Sequence, residues 1–131
     1  MKNIKGFTLT ELMIVVAIVA ILATISIMIY SKESLRANRI DAINTLISIS
    51  LKEEKYRSSN TQYGTLAQVW GGVSTTSEGH YTLAITNVGS TSYTITATAT
   101  GSQTSDSGCT SLVLTYSSGT LTRTPASCWP S

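Results

Sequence analysis

Leu12 to Tyr30 reads LMIVVAIVAILATISIMIY, nineteen residues in which only Thr24 and Ser26 interrupt an apolar run. As a helix it is about 28 Å long, close to the hydrocarbon thickness of a bilayer. No charged side chain falls between Leu12 and Ser31. The run is too long for an ordinary secretory h-region, and no A-x-A cleavage site follows it. Lys2 and Lys5 precede it with no acid among the first ten residues, a charge bias that keeps the N-terminus cytoplasmic and sends the rest of the chain outward. A membrane-inserted helix with an exported C-terminal side therefore organises the chain.

Two details just upstream go beyond a plain signal anchor. Gly6-Phe7 lies before the apolar run, where a peptidase at the cytoplasmic face would cut and leave the membrane helix on the product. Glu11 is a lone carboxylate at the head of an uncharged segment, a placement costly enough in hydrocarbon to imply a partner and a function. In a chain beginning at Phe7, the new α-amine lies four residues from Glu11 on one helical face. The two groups can pair within one subunit or between neighbours, and a Glu11 that snorkels to the interface is the other reading.

Downstream, the charge distribution divides the chain. Lys32 to Arg57 holds most of the charged residues, whereas after Ser58 only Glu78, Asp106 and Arg123 are charged. Nine bases stand against seven acids. Without Lys2 and Lys5 the chain is neutral, which argues against a strongly electrostatic partner such as bulk nucleic acid. With no Gly between Gly6 and Gly64 and no Pro before Pro125, a helix is expected from about Phe7 to Arg57. Leu35, Ala42, Leu46 and Ile49 form one stripe on it, and Ile40, Ile43, Ile47 and Leu51 form a second beside it. One stripe suits a sheet and the other neighbouring subunits, or both serve one core. Lys52-Glu53-Glu54-Lys55-Tyr56-Arg57 reads as a solvated helix end, Ser58-Ser59-Asn60 as its stop, and residues 60–79 as a connecting loop.

Period-two alternation then gives strands around Tyr81–Thr86, Tyr93–Thr100 and Leu112–Tyr116, with a shorter one at Thr120–Thr124. Apolar residues take one face and Thr the other, as in an antiparallel sheet with one wet side. The Ser- and Thr-rich composition alone also suits a linker, but the regular apolar positions favour a fold. Cys109 and Cys128 both fall in this exported half, where disulfides persist. Their bond would close a loop worth about 3 kcal/mol; two free thiols are the alternative. No P-loop, dinucleotide turn or zinc-ligand set is present. His80 reads as a strand-edge surface residue and Asp106 as a turn residue. No cofactor, metal or catalytic role is expected.

Lys5-Gly6-Phe7-Thr8-Leu9-Thr10-Glu11 with its apolar run resembles the prepilin signal (type III signal sequence) of type IV pilins and of type II secretion pseudopilins. Arg36-Ala37-Asn38-Arg39 is similar to the basic stretch these proteins carry past the membrane. The resemblance implies cleavage by a prepilin peptidase between Gly6 and Phe7, N-methylation of Phe7, and pairing of Glu11 with a neighbouring subunit's N-terminal amine. It implies an α+β pilin fold, in which a long N-terminal helix packs on an antiparallel sheet of about four strands. The corresponding division is a leader at 1–6, a membrane and filament-core helix at 7–31, and a head at 32–131. Where many pilins have a helix-breaking Pro, this chain has Met28, so a less interrupted helix is expected.

The pattern Gln103, Asp106, Cys109, Leu112, Leu114, Gly119 and Cys128-Trp129 resembles the short minor pilins of type IV systems. There the disulfide bounds a variable region that shapes subunit contacts or binding. The function implied is a structural subunit of a type IV pilus that supports biogenesis, adhesion, twitching or DNA uptake. The implied partners are other pilins, the peptidase, an inner-membrane assembly platform and, before assembly, the membrane. A pilin that binds DNA or a surface is a second reading, with Arg123 the one base near the disulfide loop. A secretion pseudopilin is a third. Arg36 and Arg39 are expected against other subunits or at the membrane surface.

Overall fold

The computed structural model describes residues 6–131, so Lys2 and Lys5 of the expected leader lie outside it. The first element, α1, runs from Leu9 to Arg57 without interruption, as expected of a stretch lacking Gly and Pro. It begins two residues later than the pattern alone suggested, because Thr8 caps it. At its far end Asn60 Nδ2 donates to Tyr56 O at 2.8 Å and Ser58 Oγ to Lys55 O at 2.6 Å. Those contacts satisfy carbonyls left open where a helix stops.

The chain divides into two units, Met1–Ser34 and Leu35–Ser131. In the described part of the first, the large apolar side chains from Phe7 to Tyr30 are exposed. Its two mid-run hydroxyls turn inward, with Thr24 Oγ1 donating to Ile21 O at 2.7 Å and Ser26 Oγ to Leu22 O at 2.8 Å. Both polar groups are thereby satisfied within the helix, the condition for placing them in lipid.

The second unit is built on a four-stranded antiparallel meander, β1 (Tyr81–Thr86), β2 (Ser92–Ala99), β3 (Ser111–Ser117) and β4 (Thr120–Thr124), in that spatial order. Register pairs Leu83 with Ala97 and Ile95 with Leu114. Tyr81, Leu83, Tyr93, Ile95, Ala97, Leu112 and Leu114 therefore share one buried face. Against it pack Ala42, Ile43, Leu46 and Ile49 of α1. Each buried Leu or Ile contributes about 1.5–3 kcal/mol. The helix stripes thus separate: the first faces the sheet and recruits Ile43, while Ile40, Ile47 and Leu51 of the second stay exposed.

The segment expected as plain loop carries a short helix, α2 (Leu66–Trp70). Thr65 opens it, its N–H donating to Gln68 Oε1 at 2.8 Å, and Gly71 closes it in the left-handed region that glycine tolerates. Further along, residues 74–76 cover the outer edge of β1: Leu83 N–H donates to Ser74 O and Thr76 N–H to Tyr81 O. A single-turn 3₁₀ helix (Gly101–Ser105) joins β2 to β3. Cys109 and Cys128 form a disulfide with Cα atoms 5.7 Å apart. Both are buried, and they join the start of β3 to the end of the chain.

Candidate assembly segment and head surfaces

Gly6, Phe7 and Thr8 lie outside the helix, and Phe7 is 83% exposed. Glu11 is the third residue of α1, and its Oε2 accepts both the Thr8 N–H (2.9 Å) and the Thr8 hydroxyl (2.8 Å). The Glu11 N–H in turn donates to Thr8 Oγ1 at 3.3 Å. This is a capping box, T-x-x-E, which satisfies orphan amides at the helix start and places negative charge at its positive end. The motif stands openly in the sequence as Thr8-Leu9-Thr10-Glu11. Reading Glu11 only as an acid near lipid misses it. Glu11 Oε1 takes no part in the box.

In the head, a polar network joins α1 to the β2–β3 connection. Gln103, fully buried, donates from Nε2 to Leu35 O and to Tyr81 Oη, both at 2.9 Å, and reaches Asp106 Oδ2 at 3.2 Å. Asn38 Nδ2 donates to Gln103 Oε1 at 3.1 Å. Arg39 grips Asp106 with both arms of its guanidinium, Nε to Oδ2 at 2.8 Å and Nη2 to Oδ1 at 2.6 Å. This corrects the placement of Arg39 against other subunits: its partner is in the same chain, 67 positions away, and of the two bases in that stretch only Arg36 is exposed. Asp106 is a turn residue as expected, since its N–H donates to Gln103 O, but its carboxylate anchors the turn to the helix. No periodicity links positions 39 and 106, so the pair was not legible in the sequence.

The end of α1 also departs from a solvated face. Glu53 is fully buried, and its Oε2 accepts the Gly64 N–H at 2.8 Å. Burial raises its pKa; the Gly64 N–H partly offsets this, and the neighbouring Glu54 adds to it. Its Oε1 has no partner among the described residues. Lys52 lies over the Trp70 ring at 4.4 Å. Tyr63 packs edge-on against Tyr93 and Tyr116, and Tyr93 stacks on Tyr116. The Tyr63 hydroxyl donates to Glu54 Oε1 at 3.1 Å; burial, with contacts to Tyr116 and Glu54, raises its pKa.

Beside this aromatic cluster, Arg57 is held half-buried. Its Nε donates to Ser90 O at 3.0 Å and its Nη1 to Asn60 O at 2.6 Å. The β3–β4 turn closes onto the same place, with Ser118 N–H donating to Thr91 O at 2.9 Å. Ser118 and Gly119 both have positive φ, the geometry of a two-residue hairpin turn. The result is a pocket of about 340 Å³ lined by Arg57, Tyr63, Ser90, Thr91, Tyr116, Ser118 and Gly119. Near the chain end, Arg123 lies 5.7 Å from the Trp129 ring. In the sequence Arg123 is the one base near the disulfide loop. The fold adds Arg57 to the turns of the sheet, a position set by tertiary packing alone.

Comparison with known proteins bears on both units. Residues 29–113 match the family model described as the type IV minor pilin ComP, DNA uptake sequence receptor. Residues 1–27 match the prokaryotic N-terminal methylation motif. A search of curated proteins returned no match.

Proposed function

The chain belongs to the family of the type IV minor pilin ComP, and from that premise we propose that it enters a type IV pilus by the prepilin route and presents a head that captures DNA for uptake. Membership makes it a pilus subunit of a structural family and favours the pilus over a secretion pseudopilus. In this reading residues 1–6 are the leader, 7–31 the membrane and filament-core helix, and 32–131 the head. A prepilin peptidase cuts between Gly6 and Phe7, and the Phe7 amine is methylated. Glu11 meets the amine of a neighbouring subunit as the helix moves from the inner membrane and its assembly platform into the fibre. Lys2 and Lys5 hold the leader in the cytoplasm. We assign the chain no catalytic step.

One observation carries the reading. A head matched to a DNA uptake receptor family follows, on one chain, an exposed apolar helix with Gly6 and Phe7 just ahead of it and Glu11 in its first turn. In the first unit, the apolar surface needs either lipid or other helices, and a filament core supplies the second. In the second, Arg57, Lys52 and Arg123 each lie near an aromatic ring, a combination suited to phosphates and bases.

Three measurements test this, the first two on the chain expressed in its own host. Intact mass should show a chain beginning at methylated Phe7, with processing lost in a Gly6→Ala variant. A chain retaining Met1 would refute the prepilin route. Glu11→Gln separates the two uses of Glu11, because Gln at the third helical position still closes a capping box. The variant should be processed at Gly6-Phe7 yet be absent from sheared pili; normal incorporation would remove the amine-pairing role. For the head, labelled duplex DNA should bind, and the binding should weaken with added salt.

A further inference from the structure

Arg57 has an unusual setting for a surface base. Two backbone carbonyls, Ser90 O and Asn60 O, hold its Nε and Nη1. The Tyr63 ring lies 6.0 Å from its guanidinium carbon. Its Nη2 has no hydrogen-bond partner among the described residues, and the side chain lines the pocket. A guanidinium tethered at Nε and Nη1, with Nη2 left open, is pre-ordered for an anion, because little side-chain freedom remains to be lost on binding.

The remaining wall fits the same chemistry. Ser90, Thr91 and Ser118, all hydroxyl-bearing residues, line the pocket from two separate turns. The Ser118 N–H to Thr91 O bond locks those turns together. No acid among the described residues lines the pocket, and Glu54, beside the aromatic cluster, is engaged by the Tyr63 hydroxyl. By contrast, Arg39 is consumed by Asp106, and Lys52 and Arg123 lie over Trp70 and Trp129 with no comparable frame of turns.

We propose that this pocket is a phosphodiester subsite, where Arg57 and the Ser90–Thr91 and Ser118 turns hold one backbone phosphate of DNA. The inference rests on the DNA-capture reading and deepens it by naming where the strand is anchored. A phosphate contact of this kind positions the duplex without reading its sequence. Apart from Arg57, residues 32–131 carry six bases and six acids and add little unspecific attraction, so this anchor carries a large share of the salt dependence.

The test uses the full chain in detergent micelles and short fluorescein-labelled duplexes of unrelated sequence, with affinity followed by polarisation across salt concentrations. Arg57→Ala should weaken binding about five- to tenfold on every duplex and reduce the slope of log K against log salt by about 0.9. Thr91→Glu places a carboxylate at the pocket while leaving both carbonyl contacts of Arg57 in place, and should weaken binding at least as much. It decides the matter if Arg57→Ala loosens the fold. Wild-type binding with both variants losing no more than Lys55→Ala, an exposed base outside the pocket, overturns the subsite and leaves DNA capture standing. A wild-type chain that binds no duplex even at low salt refutes DNA capture, and the subsite with it.

Discussion

Replacing Asp106 by Ala should destabilise the head by about 2–3 kcal/mol. The carboxylate accepts Arg39 Nε at 2.8 Å, Arg39 Nη2 at 2.6 Å and Gln103 Nε2 at 3.2 Å. Truncating one partner of a fully buried ion pair costs about 3–5 kcal/mol, because the other charge is left without compensation. The Arg39 side chain keeps 19% of its surface in contact with solvent, so water recovers part of that loss. For a domain of this size the result is a fall in Tm of about 10–20 °C.

Urea unfolding of the oxidised chain in micelles, followed by tryptophan fluorescence, gives the value. Arg39→Ala should lose a similar amount, since it strands Asp106 among buried groups. The double variant should lose clearly less than the two single losses added, with a coupling of about 1.5–3 kcal/mol. A coupling below about 0.5 kcal/mol would refute the view that this pair joins the β2–β3 connection to α1. Cleavage at Gly6-Phe7 should be unchanged in all three variants.

Other expectations follow from buried groups. Burial raises the folded pKa of Glu53, so the folded head holds that proton more tightly than the unfolded chain. The associated stability is present below the ordinary carboxylate pKa and is lost as pH rises through the folded one. Glu53→Gln should therefore gain in Tm relative to wild type between about pH 4 and about pH 7, and a relative loss would contradict the burial argument. Cys128→Ser should cost about 3 kcal/mol in the same unfolding assay, with wild type under reductant falling to match. An Ala at Gly64 would bring its Cβ within 2.5 Å of Val69 Cγ1 and 3.2 Å of Tyr56 Cδ1. Overpacking of that kind costs about 1–3 kcal/mol, and an unchanged Tm would show that the Gly64 loop yields freely.

Much of the architecture could be read directly because it rests on local periodicity. Nineteen near-uninterrupted apolar residues, a long stretch free of Gly and Pro, and alternating Thr gave the helix and four strands within a few residues of their observed bounds. The Thr8–Glu11 box was equally local, written in four consecutive residues. The short helix at Leu66–Trp70 was missed because five residues leave no period to detect, and its Thr65, Gln68 and Gly71 signals gain meaning only once the turn is formed.

The sequence by itself determined the long helix and the four strands, the membrane-length apolar run and which half of the chain carries the cysteines. Tertiary structure alone decided that Arg39 turns inward to Asp106, that Glu53 is buried under the Gly64 loop, and that Arg57 meets two turns of the sheet. The physical reason is range. Periodicity reports the environment of residues a turn or a strand step apart. The partner of a charged side chain is chosen by packing that brings together positions dozens of residues distant, and nothing in the local pattern encodes that choice.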